Sequence, residues 1–136
     1  MYLLDTNACI RILNDSSEGL VRRLRQHPPA ELRMCSVVKA ELYRGARRST
    51  RPAANLRLLE RFFAPFASLA FDDRCAERYG AIRQELERTG APIGSNDLMI
   101  AAIAVRNDLA LVTHNVREFS RVVGLRLEDW EESPAE

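Results

Sequence analysis

The sequence predicts an α/β fold, one domain in which a central parallel β-sheet is flanked by helices on both faces. Three observations predict it. Short apolar runs of strand length alternate with longer segments of helical period, which is the βαβ pattern. The chain has 136 residues, one domain's worth and enough to bury a core without disulfides or a structural metal. No internal repeat, low-complexity block or linker divides it.

The elements follow in order. Tyr2 to Leu4 is an apolar run ending at Asp5, the pattern of a strand buried on both faces. Thr6 and Asn7 can cap a helix carrying Ile10 and Leu13, and Leu20, Val21 and Leu24 continue the period. Asn14-Asp15-Ser16-Ser17 splits this segment into two helices, and His27-Pro28-Pro29 ends the second. His27 is expected in solvent. Leu32 to Ser36 is the second strand, with Ser36 as cap of a helix whose inner face is Val38, Leu42 and Ala46. Pro52 starts a helix through Leu56, Leu59, Phe62 and Phe63, stopped by Pro65. With Phe66, the two phenylalanines read as core. Ser68 to Phe71 is the third strand. Cys75 to Arg88 is an amphipathic helix with Tyr79, Ile82 and Leu86 inward, closed by Gly90. Leu98 to Arg106 is a helix apolar nearly all round. Ala110 to Val112 is a strand, Asn115 to Arg121 one or two helical turns, and Leu125 to Leu127 a last edge strand. The domain is expected to span residues 1–130, with 131–136 a polar, frayed tail.

Composition excludes several classes. Hydrophobic residues are 46% and charged residues 29%, with a net charge of +1, so neither disorder nor a strong global field is indicated. All basic residues but Lys39 are Arg. Arg suits planar contacts with phosphate and carboxylate, although a GC-rich genome gives the same bias. Cys9, Cys35 and Cys75 are widely spaced and odd in number, which argues against a disulfide framework or a zinc site. The expected compartment is the reducing cytoplasm. The start has no signal-peptide pattern, and the longest apolar run, Leu98 to Val105, is too short to span a membrane.

In parallel sheets ligands bind at the carboxyl ends of the strands. That rule selects Asp5 after strand 1, Glu41 in the helix after strand 2, and Thr113 and Asn115 after the fourth strand. Asp97 opens the helix leading into that strand. Each has an ordinary structural reading beside the functional one. Asp5 can be a helix N-cap. Glu41 can be an inward-leaning residue paired with Arg44 or Lys39, and Asp97 can answer the helix dipole. Glu118, one turn past Asn115, can point into the site or pair at the surface with Arg121. Converging at one edge, however, Asp5, Glu41 and Asp97 would repel. A divalent cation resolves the repulsion, and an all-oxygen set selects Mg²⁺ or Mn²⁺. Asp5 and Asp97 are the expected direct ligands. Glu41 is a ligand, a water-mediated ligand or a general base, and Asn115 can coordinate or position water through its amide oxygen.

These residues resemble those of the PIN-domain ribonucleases, and more narrowly of the VapC-type toxins of bacterial toxin–antitoxin pairs. The matching pieces are Leu-Leu-Asp5-Thr6-Asn7, Ser36-Val-Val-Lys-Ala-Glu41-Leu-Tyr-Arg-Gly45, Ile93-Gly-Ser-Asn96-Asp97-Leu-Met-Ile-Ala-Ala and Leu111-Val-Thr113-His-Asn115-Val-Arg-Glu118-Phe119. Gly124 to Trp130 also looks like the end of such toxins. The resemblance covers Tyr2 to Trp130. It implies a three-layer PIN-like domain and a Mg²⁺- or Mn²⁺-dependent endoribonuclease whose acidic core is Asp5, Glu41 and Asp97. Many PIN domains carry an Asp where this chain has Asn115, which puts a fully charged second metal site in doubt. The family commonly cuts a structured RNA, often a transfer RNA, to block translation. It is neutralised by a cognate antitoxin inserted at the site, and it commonly forms homodimers. A similar subgroup acts on initiator transfer RNA.

Under this resemblance Arg44, Arg47, Arg48 and Arg51 would supply phosphate contacts, a solvated helix end being the alternative. Tyr43 and Phe119 are expected as aromatic neighbours of the site, with core packing the expected role of Phe119. His114 lies near it, with an incidental loop position as the ordinary reading. Two other classes remain at this stage: a non-catalytic RNA- or protein-binding module, and a housekeeping RNA-processing PIN nuclease. An Asp-nucleophile phosphatase lacks its second Asp, because Asn7 stands there. A phospho-receiver domain lacks its late Lys.

Overall fold

The structure, a computed structural model, describes residues 1–131. The elements run β1 (Tyr2–Leu4), α1 (Thr6–Leu13), α2 (Glu18–Arg25), β2 (Leu32–Cys35), α3 (Ser36–Arg47), α4 (Pro52–Phe63), β3 (Ala67–Leu69), α5 (Asp73–Arg88), α6 (Ser95–Arg106), β4 (Ala110–Val112), α7 (Val116–Phe119) and β5 (Leu127–Glu128). All five strands are parallel, in the order β3-β2-β1-β4-β5. The chain therefore works outward from β1 through β2 to β3, then crosses back to place β4 on the other side of β1.

That reversal makes the carboxyl ends of β1 and β4 the switch point of the sheet, where a crevice opens. Right-handed crossovers, the general form of such units, put α1 to α4 on one face and α5 and α6 on the other. Most of the packing follows this split, with α3 against α4, α1 against α2 and α3, and α5 against α6, while α3 also meets α6. This is the α/β architecture expected from the sequence.

The core is anchored by β1, β4 and α6. Leu3, Leu4, Leu111 and Val112 are buried, as are Leu98 and the run Ile100–Ala104 of α6. A helix buried on most of its circumference carries its N-terminus into the interior, and here that terminus holds Asp97. Phe63 is buried, with the Phe62 and Phe66 rings each 5.8 Å from a phenylalanine neighbour, so this cluster is core as expected.

Several local expectations are corrected. The third strand begins at Ala67 and stops at Leu69, because its partner β2 ends at Cys35. The last strand is Leu127–Glu128, registered on Leu111 and Val112. Leu125 still belongs to the preceding turn, which Gly124 makes with a φ of +87°. Ser36 does not cap α3. It is the first helical residue, and its hydroxyl accepts a hydrogen bond from the Phe71 backbone N–H at 3.3 Å.

His27 is not out in solvent. Its ring stacks on Trp130 at 4.9 Å with 5° between planes, beside Tyr2. Trp130 is fully buried and donates its indole N–H to Glu128, fastening the end of the chain to α2. Glu131, assigned from sequence to the tail, is half-buried, and its carboxylate is ion-paired with Arg11 of α1. Residues 132–136 of the expected tail lie outside the described residues.

Candidate active site

Asp5 follows β1 directly and is 4% exposed. Its backbone N–H bonds to the Val112 carbonyl at 3.1 Å, continuing the ladder with β4 by one residue. Its side chain caps α1, accepting the Ala8 N–H at 2.8 Å. The cap uses one carboxylate oxygen, so the structural and functional readings of Asp5 coexist. Burial pushes its carboxyl above the usual range. The Thr113 hydroxyl and the Ala8 N–H oppose that shift, while Glu131 and Glu41 add to it.

Glu41 sits on α3 three residues past the buried Val38, half-buried, and accepts a 2.7 Å hydrogen bond from the Thr6 hydroxyl. Among the described residues it pairs with neither Arg44 nor Lys39. The Lys39 ammonium instead lies 5.1 Å from the centre of the Phe63 ring. Asp97 lies in the first turn of α6, also half-buried. Its pKa is pushed up to about 6 by burial first, then by Glu118, Glu41 and Asp5. Asp97 thus feels the charges of the other two predicted carboxylates, with Glu118 as a fourth.

Asn115 caps α7, and its amide donates to Glu118 at 3.0 Å. Glu118 also accepts the Gly94 N–H at 3.3 Å, at the threshold of α6. It is therefore not the surface partner of Arg121, which donates to the Pro92 carbonyl instead. Thr113 is buried beside Asp5, and its hydroxyl accepts the Asn115 N–H. Tyr43 is not at the site: it packs edge-on against Phe63 at 5.5 Å. Phe119 is core. Arg44, Arg47, Arg48 and Arg51 are exposed and make no ion pair among the described residues. The Ser49 hydroxyl accepts the Asn55 amide and itself bonds the Ala46 carbonyl, bracing the turn between α3 and α4 that carries them.

On the same sheet edge lies a group that sequence reasoning missed. The ligand atoms of His114, Asp129 and Glu131 lie within 4.8 Å of one another, and His114 bonds Asp129 at 2.9 Å. Asp129 raises the pKa of His114 above its ordinary value, with Glu131 adding and Arg11 opposing. The signal was present: Asp129 follows the last strand as Asp5 follows the first. An acidic group able to hold a metal is thus present at this edge.

The sequence pattern of the PIN domain matches residues 2–125. The chain belongs to the PIN-domain family. Its relatives place it on the VapC branch. The tRNA(fMet)-specific endonuclease VapC of Salmonella typhimurium is 40% identical, covering 95% of this chain and 97% of that protein. The solved DNA-bound VapBC of Salmonella typhimurium superposes with a TM-score of 0.89 at 38% identity, over 95% of this chain and 97% of that one. VapBC2 of Rickettsia felis, bound to a DNA fragment from its promoter, gives 0.88 at 34%, over 95% and 98%. This PIN-domain protein is a nuclease of the VapC kind. PIN nucleases are generally dependent on a divalent metal, and no helix of the described residues is long and apolar enough to cross a membrane.

Proposed function

We propose that this PIN-domain protein is the toxin of a toxin–antitoxin pair. In this reading it is a cytoplasmic endoribonuclease whose nuclease domain spans residues 1–130 and whose substrate is a transfer RNA, the initiator first among candidates. The observation that carries it is the company of Asp97: a half-buried carboxylate at the start of α6 that feels the charges of Glu118, Glu41 and Asp5. None of these four carboxylates is ion-paired with Lys or Arg among the described residues. That donor set is all oxygen, crowded and negative, and it fits Mg²⁺ or Mn²⁺.

Asp5 and Asp97 would hold the cation, with Glu41 completing the oxygen set. A bound divalent ion offsets charge on the phosphate and eases loss of a proton from water. The chain's own residues do the rest. Thr6 fixes the Glu41 carboxylate, which would take the proton of the attacking water. Glu118 holds the Asn115 amide, whose oxygen positions that water. Water attacks phosphorus in line and the bond to the 3′ oxygen breaks. That oxygen takes a proton, leaving 5′-phosphate and 3′-hydroxyl ends. Arg44, Arg47, Arg48 and Arg51 track the RNA backbone.

The antitoxin's place in this reading is an apolar groove of about 280 Å³ between α1, α3 and α4. Ile10 and Leu58, each 40% exposed, line it with Leu42 and Leu59, and it reaches Glu41. An apolar antitoxin segment laid there would arrive beside the acidic edge. The homodimer common in the family belongs to the same reading, and light scattering checks it.

Cleavage of total bacterial RNA tests the proposal, with Mg²⁺ or Mn²⁺ against EDTA, beside Asp5→Asn and Asp97→Asn. Discrete metal-dependent fragments that vanish in both variants are expected, with end-mapping to name the RNA. Intact RNA under all conditions, with protein free of antitoxin, would overturn it.

A further inference from the structure

A second concavity opens between the acidic edge and the arginines of α3. It holds about 540 Å³, within the range of small-ligand pockets, and Glu41 forms part of its wall. The other walls come from three helices. Asn7 and Ile10 stand on α1, Ser36 and Arg44 on α3, and Asn96 and Met99 on α6.

We propose that this cavity is a nucleotide subsite, taking one unstacked RNA base beside the cut phosphate, with Asn7 and Asn96 reading its edge. The inference rests on the ribonuclease reading and deepens it. A carboxamide offers a donor and an acceptor together, the pattern that base edges present. The amides of Asn7 and Asn96 make no hydrogen bond within the protein among the described residues. Those of Asn55, Asn107 and Asn115 are all used internally, and Asn14, whose amide is also unbonded, lines the other groove. Ile10 is among the few large apolar side chains left exposed. With the polarisable thioether of Met99 it gives an apolar surface for the face of a base.

Asn7 lies two residues after Asp5, and Asn96 immediately precedes Asp97, so the two helix starts that carry the acids also carry the readers. Arg44, on the next turn after Glu41, reaches the same cavity and supplies a cation for a phosphate. A base seated there lies between a phosphate at the acidic edge and a phosphate at Arg44. Sequence-specific recognition of RNA works mostly on such single-stranded, splayed bases.

The test is cleavage, with Mn²⁺, of an RNA pool randomised in a single-stranded loop, followed by sequencing of the new ends. The wild type is expected to prefer one base next to the cut by tenfold or more. Asn7→Ala and Asn96→Ala should each flatten that preference at least threefold while metal-dependent cutting continues. The same preference in both variants would overturn the subsite and leave the ribonuclease reading standing. Loss of all cutting in the wild type would instead sink the ribonuclease reading. Binding then decides the subsite. Asp5→Asn protein in Mg²⁺ is titrated with fluorescent pentanucleotides differing at one base, with and without the Asn7→Ala/Asn96→Ala pair. A base preference abolished by the pair supports the subsite, and equal affinity for all four bases overturns it.

Discussion

The Thr6 hydroxyl donates a 2.7 Å hydrogen bond to the Glu41 carboxylate, joining the first turn of α1 to the middle of α3. These residues are 35 positions apart, and neither is fixed by its own helix alone. A hydrogen bond to a charged group is worth about 1.5–3 kcal/mol. Its loss leaves Glu41 free to rotate out of the acidic set. Thr6→Val keeps the shape and removes the donor. It should lower kcat about tenfold, the equivalent of 1.4 kcal/mol, with KM little changed. Thr6→Ser should restore most of the rate. Steady-state cleavage of a defined RNA checks both, and an unaltered kcat in Thr6→Val would remove Thr6 from the site.

The Asp97 carboxyl, pushed up to about 6 from 3.8, makes stability depend on pH. The folded state binds this proton more tightly than the unfolded state. Its contribution is full below about pH 3.8 and is lost as pH rises through about 6. Metal-free protein should therefore lose stability across that window, and Asp97→Asn should flatten the loss. The loss by pH 7 is on the order of 1 kcal/mol once solvent screening of this half-exposed group is allowed for. Metal reverses the sign, since binding requires the ionised form. The rise in Tm on adding Mg²⁺ should be small at pH 5 and large at pH 7.5 in the wild type, and slight at both in Asp97→Asn. Thermal melts at four pH values with EDTA or Mg²⁺ measure this.

Much of this was legible in the sequence, for identifiable reasons. The parallel sheet followed from apolar runs too short for helices, and the acidic edge from the rule that strand ends hold ligands. Asp5, Glu41 and Asp97 were visible because they end, interrupt and open apolar segments, respectively. Glu118 was ambiguous because a charged residue on a short helix has a surface reading of equal weight. Only the fold brings it to Gly94 and Asp97. The stack of His27 on Trp130 spans over a hundred residues and leaves no local periodicity to detect. The ends of β3 and β5 depend on where partner strands stop, which single-segment patterns do not carry.

That stack sets the next prediction. Trp130 is 1% exposed, packed against His27 and Tyr2, with the Arg23 guanidinium 5.5 Å from its ring centre. Truncating a buried aromatic costs about 3–5 kcal/mol. Trp130→Ala should lower the urea midpoint strongly, and Trp130→Phe much less, because stacking survives while the bond to Glu128 is lost. Equal midpoints for Trp130→Ala and wild type would show that the end of the chain contributes little.

The arginines of α3 and the following turn predict a salt dependence. If Arg44, Arg47, Arg48 and Arg51 contact phosphates, each adds to the slope of log affinity against log salt by about 0.7–0.9. Replacing Arg47 and Arg48 by Gln should reduce that slope by about 1.4–1.8 on the same relation. Binding of transfer RNA to Asp5→Asn protein between low and moderate salt measures it. A slope equal to that of the protein with its arginines intact would return these residues to the solvated helix end.

Asp5 has two jobs, and two substitutions separate them. As cap of α1 it accepts the Ala8 N–H, a role that Asn performs about as well. As part of the acidic set it supplies charge, which Asn lacks. Asp5→Asn should therefore melt no lower than wild type in EDTA. It should melt higher at neutral pH, because a carboxylate that burial disfavours has been removed. Its cleavage should fall at least a hundredfold. Asp5→Ala should be equally inactive and less stable than Asp5→Asn by about 1 kcal/mol, the usual value of a lost cap. Urea unfolding and RNA cleavage on the same preparations decide the matter. Full activity in a stable Asp5→Asn protein would leave Asp5 a cap alone.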